Sequence, residues 1–149
     1  MDTLLAEVSR HHFPRPPATS AQLARFEARV GWELDPELRA FYLHCDGARL
    51  FESGPDANYR FLSLDEIRRA RIAIVGSDDD SAGAASWFSI VDMQDSNFVV
   101  VDVARREGSS YPLFDAFHET FPEMERIASS FEEFLARALA SDGYSYWLR

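Results

Sequence analysis

The chain has 149 residues, 46% hydrophobic and 27% charged, which is the size and composition of one globular domain and not of a disordered chain. It carries a formal charge of -10 and one cysteine, Cys45, which rules out an intrachain disulfide and argues against nucleic acid or an anionic membrane as partner. No apolar run approaches the roughly 20 residues that span a bilayer, and Met1-Asp2-Thr3-Leu4-Leu5 lacks a signal peptide's basic start and apolar stretch, so the expected compartment is the cytoplasm.

Asp2 to Arg10 reads as a short helix with Leu4, Leu5 and Val8 on one side. His11-His12-Phe13-Pro14-Arg15-Pro16-Pro17 is the nearest thing to a linker, because its prolines forbid regular helix. Thr19 opens the next helix. Its spacing to Gln22 is that of a capping box, Leu23, Phe26 and Val30 share a face, and Gly31 is the stop. Asp35 as N-cap and Pro36 in the first turn start another helix. Its buried stripe is Leu38, Phe41, Tyr42 and Cys45, and Gly47 ends it.

The pattern then changes. Tyr59-Arg60-Phe61-Leu62 reads as a strand, and Ser63 or Asp65 caps a helix running through Arg71. Ile72-Ala73-Ile74-Val75 either extends that helix or forms a strand. Ser77 to Ala85 is an acidic loop. Trp87 to Val91 and Phe98 to Val103 are the strongest strand signals, paired antiparallel across a polar turn, with Tyr111 to Phe117 as a third neighbour. A last helix starts at Ser129 or Ser130, buries Phe131, Phe134, Leu135, Ala138 and Leu139, and stops at Gly143. The order predicts a single α+β domain over 1–149, with a largely antiparallel central sheet flanked by N-terminal helices and a C-terminal helix.

Several of these pieces, taken in order, resemble the SUKH superfamily, in its branch related to fungal cell-wall assembly regulators. They are Phe26-Glu27-x-x-Val30-Gly31, then Phe61-Leu62-Ser63-Leu64-Asp65-Glu66-Ile67, a Trp87-containing strand, Asn97-Phe98-Val99-Val100-Val101-Asp102, and the closing Ile127-Ala128-Ser129-Ser130-Phe131-Glu132-Glu133-Phe134-Leu135. The resemblance is strongest over 19–139. Two departures stand out. The family's Leu-Pro is here Leu34-Asp35-Pro36, and its Asn-Gly-Gly is here Asp46-Gly47-Ala48. The resemblance implies a non-enzymatic binding scaffold, in bacteria commonly an immunity protein that binds a toxin, often a nuclease, and in fungi a regulatory interaction module. It implies no catalytic set and no cofactor.

The residues themselves agree in offering no reaction centre. In His44-Cys45-Asp46 the two neighbours point about 100° apart on a helix, so His44 does not face the thiol, and Cys45 lies on the apolar stripe. His11, His12, His44 and His118 lack zinc spacing. Asp78-Asp79-Asp80-Ser81-Ala82-Gly83 has a superficial calcium-loop look, but Ala82 and Ser89 stand where that pattern needs a polar ligand and a glutamate. Arg68, Arg69 and Arg71 are too few for a nucleic-acid footprint. Tyr144, Tyr146 and Trp147 fit either an interface or an anchor for the terminal segment.

Charge is distributed unevenly. Residues 73–133 hold thirteen acids against Arg105, Arg106 and Arg126, a local balance of -10 that matches the whole chain's. The expected partner is therefore a protein with a basic surface, a toxin domain if the resemblance holds, and not nucleic acid or membrane. Asp78, Asp79, Asp80, Asp92 and Asp95, in loops at the ends of predicted strands, are the expected contributors to that interface.

Overall fold

Each helix forms where a cap and an apolar stripe coincide. The computed structural model describes residues 1–148. Helix α1 (Asp2–His11) buries Leu5 and Val8. Helix α2 (Ser20–Val30) has the full capping box of Thr19 and Gln22, and Gly31 closes it at φ +82°. Helix α3 (Pro36–His44) starts on Asp35 and buries Leu38, Phe41 and Tyr42. Helix α5 (Phe131–Leu139) starts on Ser130, whose hydroxyl accepts from Glu133 N–H, so Ser130 and not Ser129 is the cap. No helix among the described residues is long and apolar enough to cross a membrane.

An open antiparallel sheet of eight strands carries the helices. Strands β1 (Phe13–Pro14), β2 (Ala48–Leu50) and β3 (Tyr59–Phe61) pair in that order. Strand β5 (Trp87–Asp92) follows, then β6 (Phe98–Asp102), β7 (Leu113–Ala116) and β8 (Glu125–Ala128). Strand β4 (Arg68–Arg69) shares with β3 one edge of β5. The antiparallel β5–β6 pair and the β7 neighbour are those expected from sequence, with a bulge between Ser89 and Val91.

One sheet face carries the main core. Phe41, Phe61, Phe131 and Phe134 meet there, with ring centroids 5.1–5.9 Å apart where they touch. The other face carries a smaller cluster of Ala70, Val100 and Ala116, covered by Ile74, Trp87, Phe98, Phe121 and Met124. Helix α4 (Ala70–Val75) and the β7–β8 loop lie over it.

Three local expectations are corrected and one open alternative is decided. The helix expected from Ser63 through Arg71 is instead a single 3₁₀ turn, Leu64–Glu66, followed by β4 and then α4. The Ser63–Glu66 cap forms as expected. Strand β3 is too short to cover all of β5, however, and Arg68 and Arg69 zip onto the free stretch at Ser89 and Phe88. Of the two alternatives for residues 72–75, helix is the one that forms. Helix α3 ends at His44, with Cys45 extended, so Gly47 is not its stop. Helix α5 likewise ends four residues before Gly143. The proline run contributes β1, an edge position where a missing N–H costs nothing.

Candidate partner-binding surface

The acidic loop expected at Ser77–Ala85 is a folded turn with its own counter-ion. Arg71 points from the start of α4 into the loop with its side chain 6% exposed. Its Nε donates to Asp78 Oδ1 at 2.8 Å, and its Nη1 donates to Asp80 Oδ1 at 2.7 Å and to the Gly83 carbonyl at 3.1 Å. Arg69 adds a second contact to Asp78 at 3.0 Å. Asp79 accepts from Ser81 N–H and caps the 3₁₀ turn Asp80–Ala82. The bond from Arg71 holds the Asp78 carboxyl below its ordinary range, and the Ser81 N–H does the same for Asp79. The cation that three adjacent carboxylates demand is therefore internal. Asp80 still presents an outward side chain, 96% exposed.

This anchoring makes a prediction. Arg71→Ala should speed amide exchange across 78–85 by about tenfold, as expected for a loop that loses its main tie to the fold, with little change in the β5–β6 core. Exchange measured by mass spectrometry checks it. The sign with pH follows from the depressed carboxylates: the tie is complete above their unfolded values and is lost as pH falls through the lower folded ones.

Asp92 and Asp95 lie at the opposite end of β5 from this loop. Asp92 pairs with Arg60 at 2.9 Å, and Arg60 also holds Glu66 at 2.8 Å. The second oxygen of Asp92 accepts from Gln94 N–H. Asp95 sits in a turn whose residues Gln94, Asp95 and Ser96 all have positive φ. Gln94 pins that turn by donating its amide to the Pro55 and Ala57 carbonyls. The five aspartates thus form two groups, one at each end of the central strands. A cavity of about 330 Å³ lies beside Asp92, between Arg60, Asp65, Glu66 and Arg68. It mixes both charge signs, and Arg60 already satisfies two of its carboxylates.

A minority of the remaining acid in 73–133 is cancelled locally. Asp102 pairs with Arg105, and Glu107 with Arg126. Within residues 73–133, Asp79, Asp95, Asp115, Glu119, Glu123, Glu125 and Glu133 have no ion-pair partner among the described residues. All but Asp79 and Glu133 lie on β7, β8 or the loops at the adjoining end of the sheet, where Asn97 of the β5–β6 turn accepts from His118 N–H of the β7–β8 loop. Within 73–133 the uncompensated charge is therefore concentrated at that end.

The other side chains weighed for chemistry are occupied by the fold. Cys45 is fully buried, and burial, then Asp46, push its thiol up to about 12. His44 meets Ser9 at 2.6 Å, not the thiol. Tyr146 donates to the Ile127 carbonyl and stacks under Arg137, and Trp147 packs on Tyr59 and Phe134, so these two aromatics anchor the terminal turn.

Both departures from the resembled pattern have a structural use. The inserted Asp35 accepts from Leu38 N–H with one oxygen and from Tyr111 N–H with the other. Asp46 accepts from Leu64 N–H, and Gly47 takes φ +95° against β3.

Comparison with known proteins agrees with this architecture. A curated relative, the immunity protein YokJ of Bacillus subtilis (strain 168), is 29% identical over 119 residues, covering 78% of this chain and 72% of the relative. The model of the SMI1 / KNR4 family (SUKH-1) matches residues 17–137, from the approach to α2 almost to the end of α5. With four-fifths of its length matched and the expected α+β sheet in place, the chain belongs to the SMI1 / KNR4 family (SUKH-1).

Proposed function

We propose that this protein is a non-enzymatic immunity protein that binds a cognate toxin domain in the cytoplasm and neutralises it. The observation that carries the reading is the similarity to an immunity protein over most of both chains. The surface supports it independently. The acid left without internal partners asks for a basic partner, and such complementarity raises capture rates and rejects wrong partners. A nuclease toxin suits the charge best, because a groove that holds a phosphate backbone is basic and an acidic surface can cover it.

We assign Asp78, Asp79, Asp80, Asp92 and Asp95 to the contact region, with Asp79 and Asp95 as the members free of ion pairs among the described residues. Those two give the cleaner test. Asparagine at 79 keeps the oxygen that caps Ser81, and asparagine at 95 tolerates the left-handed turn. The double variant Asp79→Asn/Asp95→Asn should fold with an unchanged melting temperature. Its association rate with the toxin domain should fall about three- to tenfold at low salt, with the gap closing as salt rises. Stopped-flow or surface-based kinetics over a salt series reads this out. An unchanged association rate removes both residues from the interface. Failure of the wild-type protein to bind the toxin at all removes the immunity reading itself.

A further inference from the structure

A cavity of about 410 Å³ opens between β7, β8 and the terminal turn. Its walls are mostly apolar, formed by Met93, Phe117, Trp147 and Leu148, with the neutral polar side chains of Asn97, Thr120 and Ser145 between them. Two carboxylates enter it, Asp115 from β7 and Glu125 from β8. They face each other directly across the strand pair, an arrangement in which like charges disfavour the fold. Asp115 is half-buried, and the Trp147 indole is close enough to hold its carboxyl down. No described cation lines the cleft: Arg126, next to Glu125, pairs with Glu107, and Arg137 is stacked on Tyr146 while donating to the Ile127 carbonyl. The mouth is flanked by Leu148, 75% exposed.

Apolar walls, an indole and two uncompensated carboxylates describe a receptor for a cation on a long apolar stem. We propose that this cleft takes an arginine side chain of the basic partner, its guanidinium held between Asp115 and Glu125 and its stem lying against Trp147 and Phe117. The assignment rests on the immunity reading for the identity of the partner, though not for the chemistry of the cleft. Arginine fits better than lysine. Its planar fork can meet two carboxylates presented by adjacent strands, and its face stacks on an indole. Burial raises the Asp115 carboxyl, the nearby Trp147 indole opposes this and the Glu125 charge adds to it. An incoming cation reverses that balance. The cleft also lies at the end of the sheet where most uncompensated acids of 73–133 gather, so the field of that stretch draws a basic domain toward this opening.

The test needs no toxin. The full chain is titrated with Nα-acetyl-arginine methylamide while the Trp147 indole N–H resonance is followed, assigned by Trp147→Phe. The expected result is a saturable shift, at least tenfold weaker in Asp115→Asn/Glu125→Gln and several-fold weaker with the acetyl-lysine probe. The double variant should melt no lower than wild type, since it removes a like-charge pair and Asn keeps an acceptor for the indole. No saturable shift, an equal shift with acetyl-norleucine methylamide, or an unaffected double variant would each overturn the proposal. So would a shift seen only after Arg149→Ala, because the chain's own last residue, which lies outside the described residues, would then be the occupant. A further arm separates this proposal from the immunity reading. If wild type and the double variant protect equally against the toxin, the cleft is not used although immunity stands.

Discussion

Gly47→Ala should destabilise the protein by about 4 kcal/mol, lowering its melting temperature by roughly 8–16 °C for a chain of this size. Gly47 has φ +95°, and a β-carbon there would lie 2.7 Å from the Phe61 carbonyl oxygen, 3.1 Å from Ser63 N and 3.2 Å from the Leu62 carbonyl carbon. All three are backbone atoms of β3 and its exit, which cannot swing aside as a side chain can. The left-handed conformation alone costs a non-glycine residue about 1–2 kcal/mol, and the clash forces β2 and β3 apart on top of that. Gly31 supplies the control. Its φ is similar, +82°, but a β-carbon there would meet nothing within 4 Å. Gly31→Ala should therefore cost only about 1 kcal/mol. Thermal melts of the two variants separate conformation from contact, and equal losses would refute the clash.

Asp35→Ala should cost about 3 kcal/mol. The carboxylate is fully buried and bonds two backbone N–H groups, Leu38 at 2.9 Å in the first turn of α3 and Tyr111 at 3.1 Å just before β7. Removing a helix N-cap costs about 1 kcal/mol, and a hydrogen bond to a charged acceptor adds about 1.5–3 kcal/mol when its buried donor is orphaned. Asp35→Asn keeps the cap but turns an amide N–H₂ toward the Tyr111 N–H, so its loss should fall between wild type and alanine. Denaturant melts fix that order, and a loss for alanine no larger than about 1 kcal/mol would reduce Asp35 to a simple cap. The residue ties the helical layer to the strand that carries Asp115, so the cleft's geometry depends on it.

What the sequence revealed, and what it hid, follows from the range of the forces involved. Capping and periodicity are local, so α2, α3 and α5 were legible from Thr19, Asp35, Ser130 and their apolar stripes. The β5–β6 pair was legible because each strand is apolar and the turn between them is short. The 68–69 segment was not, because its strand exists only where β3 leaves part of the β5 edge unpaired. Strand β8 was missed because it opens with Glu125 and Arg126 and reads as polar loop; only Ile127 and Ala128 are buried. That omission hid the cleft, since Asp115 and Glu125 become neighbours only through the register of β7 with β8. The charge of 73–133 was plain in the sequence, but which acids stay uncompensated was not. Arg71 pairs with both flanks of the most visible run, Asp78 and Asp80, from seven and nine residues away, and leaves Asp79 between them without an ion pair.

The central claim is that this member of the family is a toxin-binding protein. It is tested most directly by capturing its partner from the native host at low and high salt, and then expressing the captured domain with and without this protein. The account predicts a near-stoichiometric basic domain, released by salt, that arrests growth when expressed alone and is tolerated when co-expressed. A captured domain that is harmless alone, or equally toxic in the presence of this protein, would contradict it.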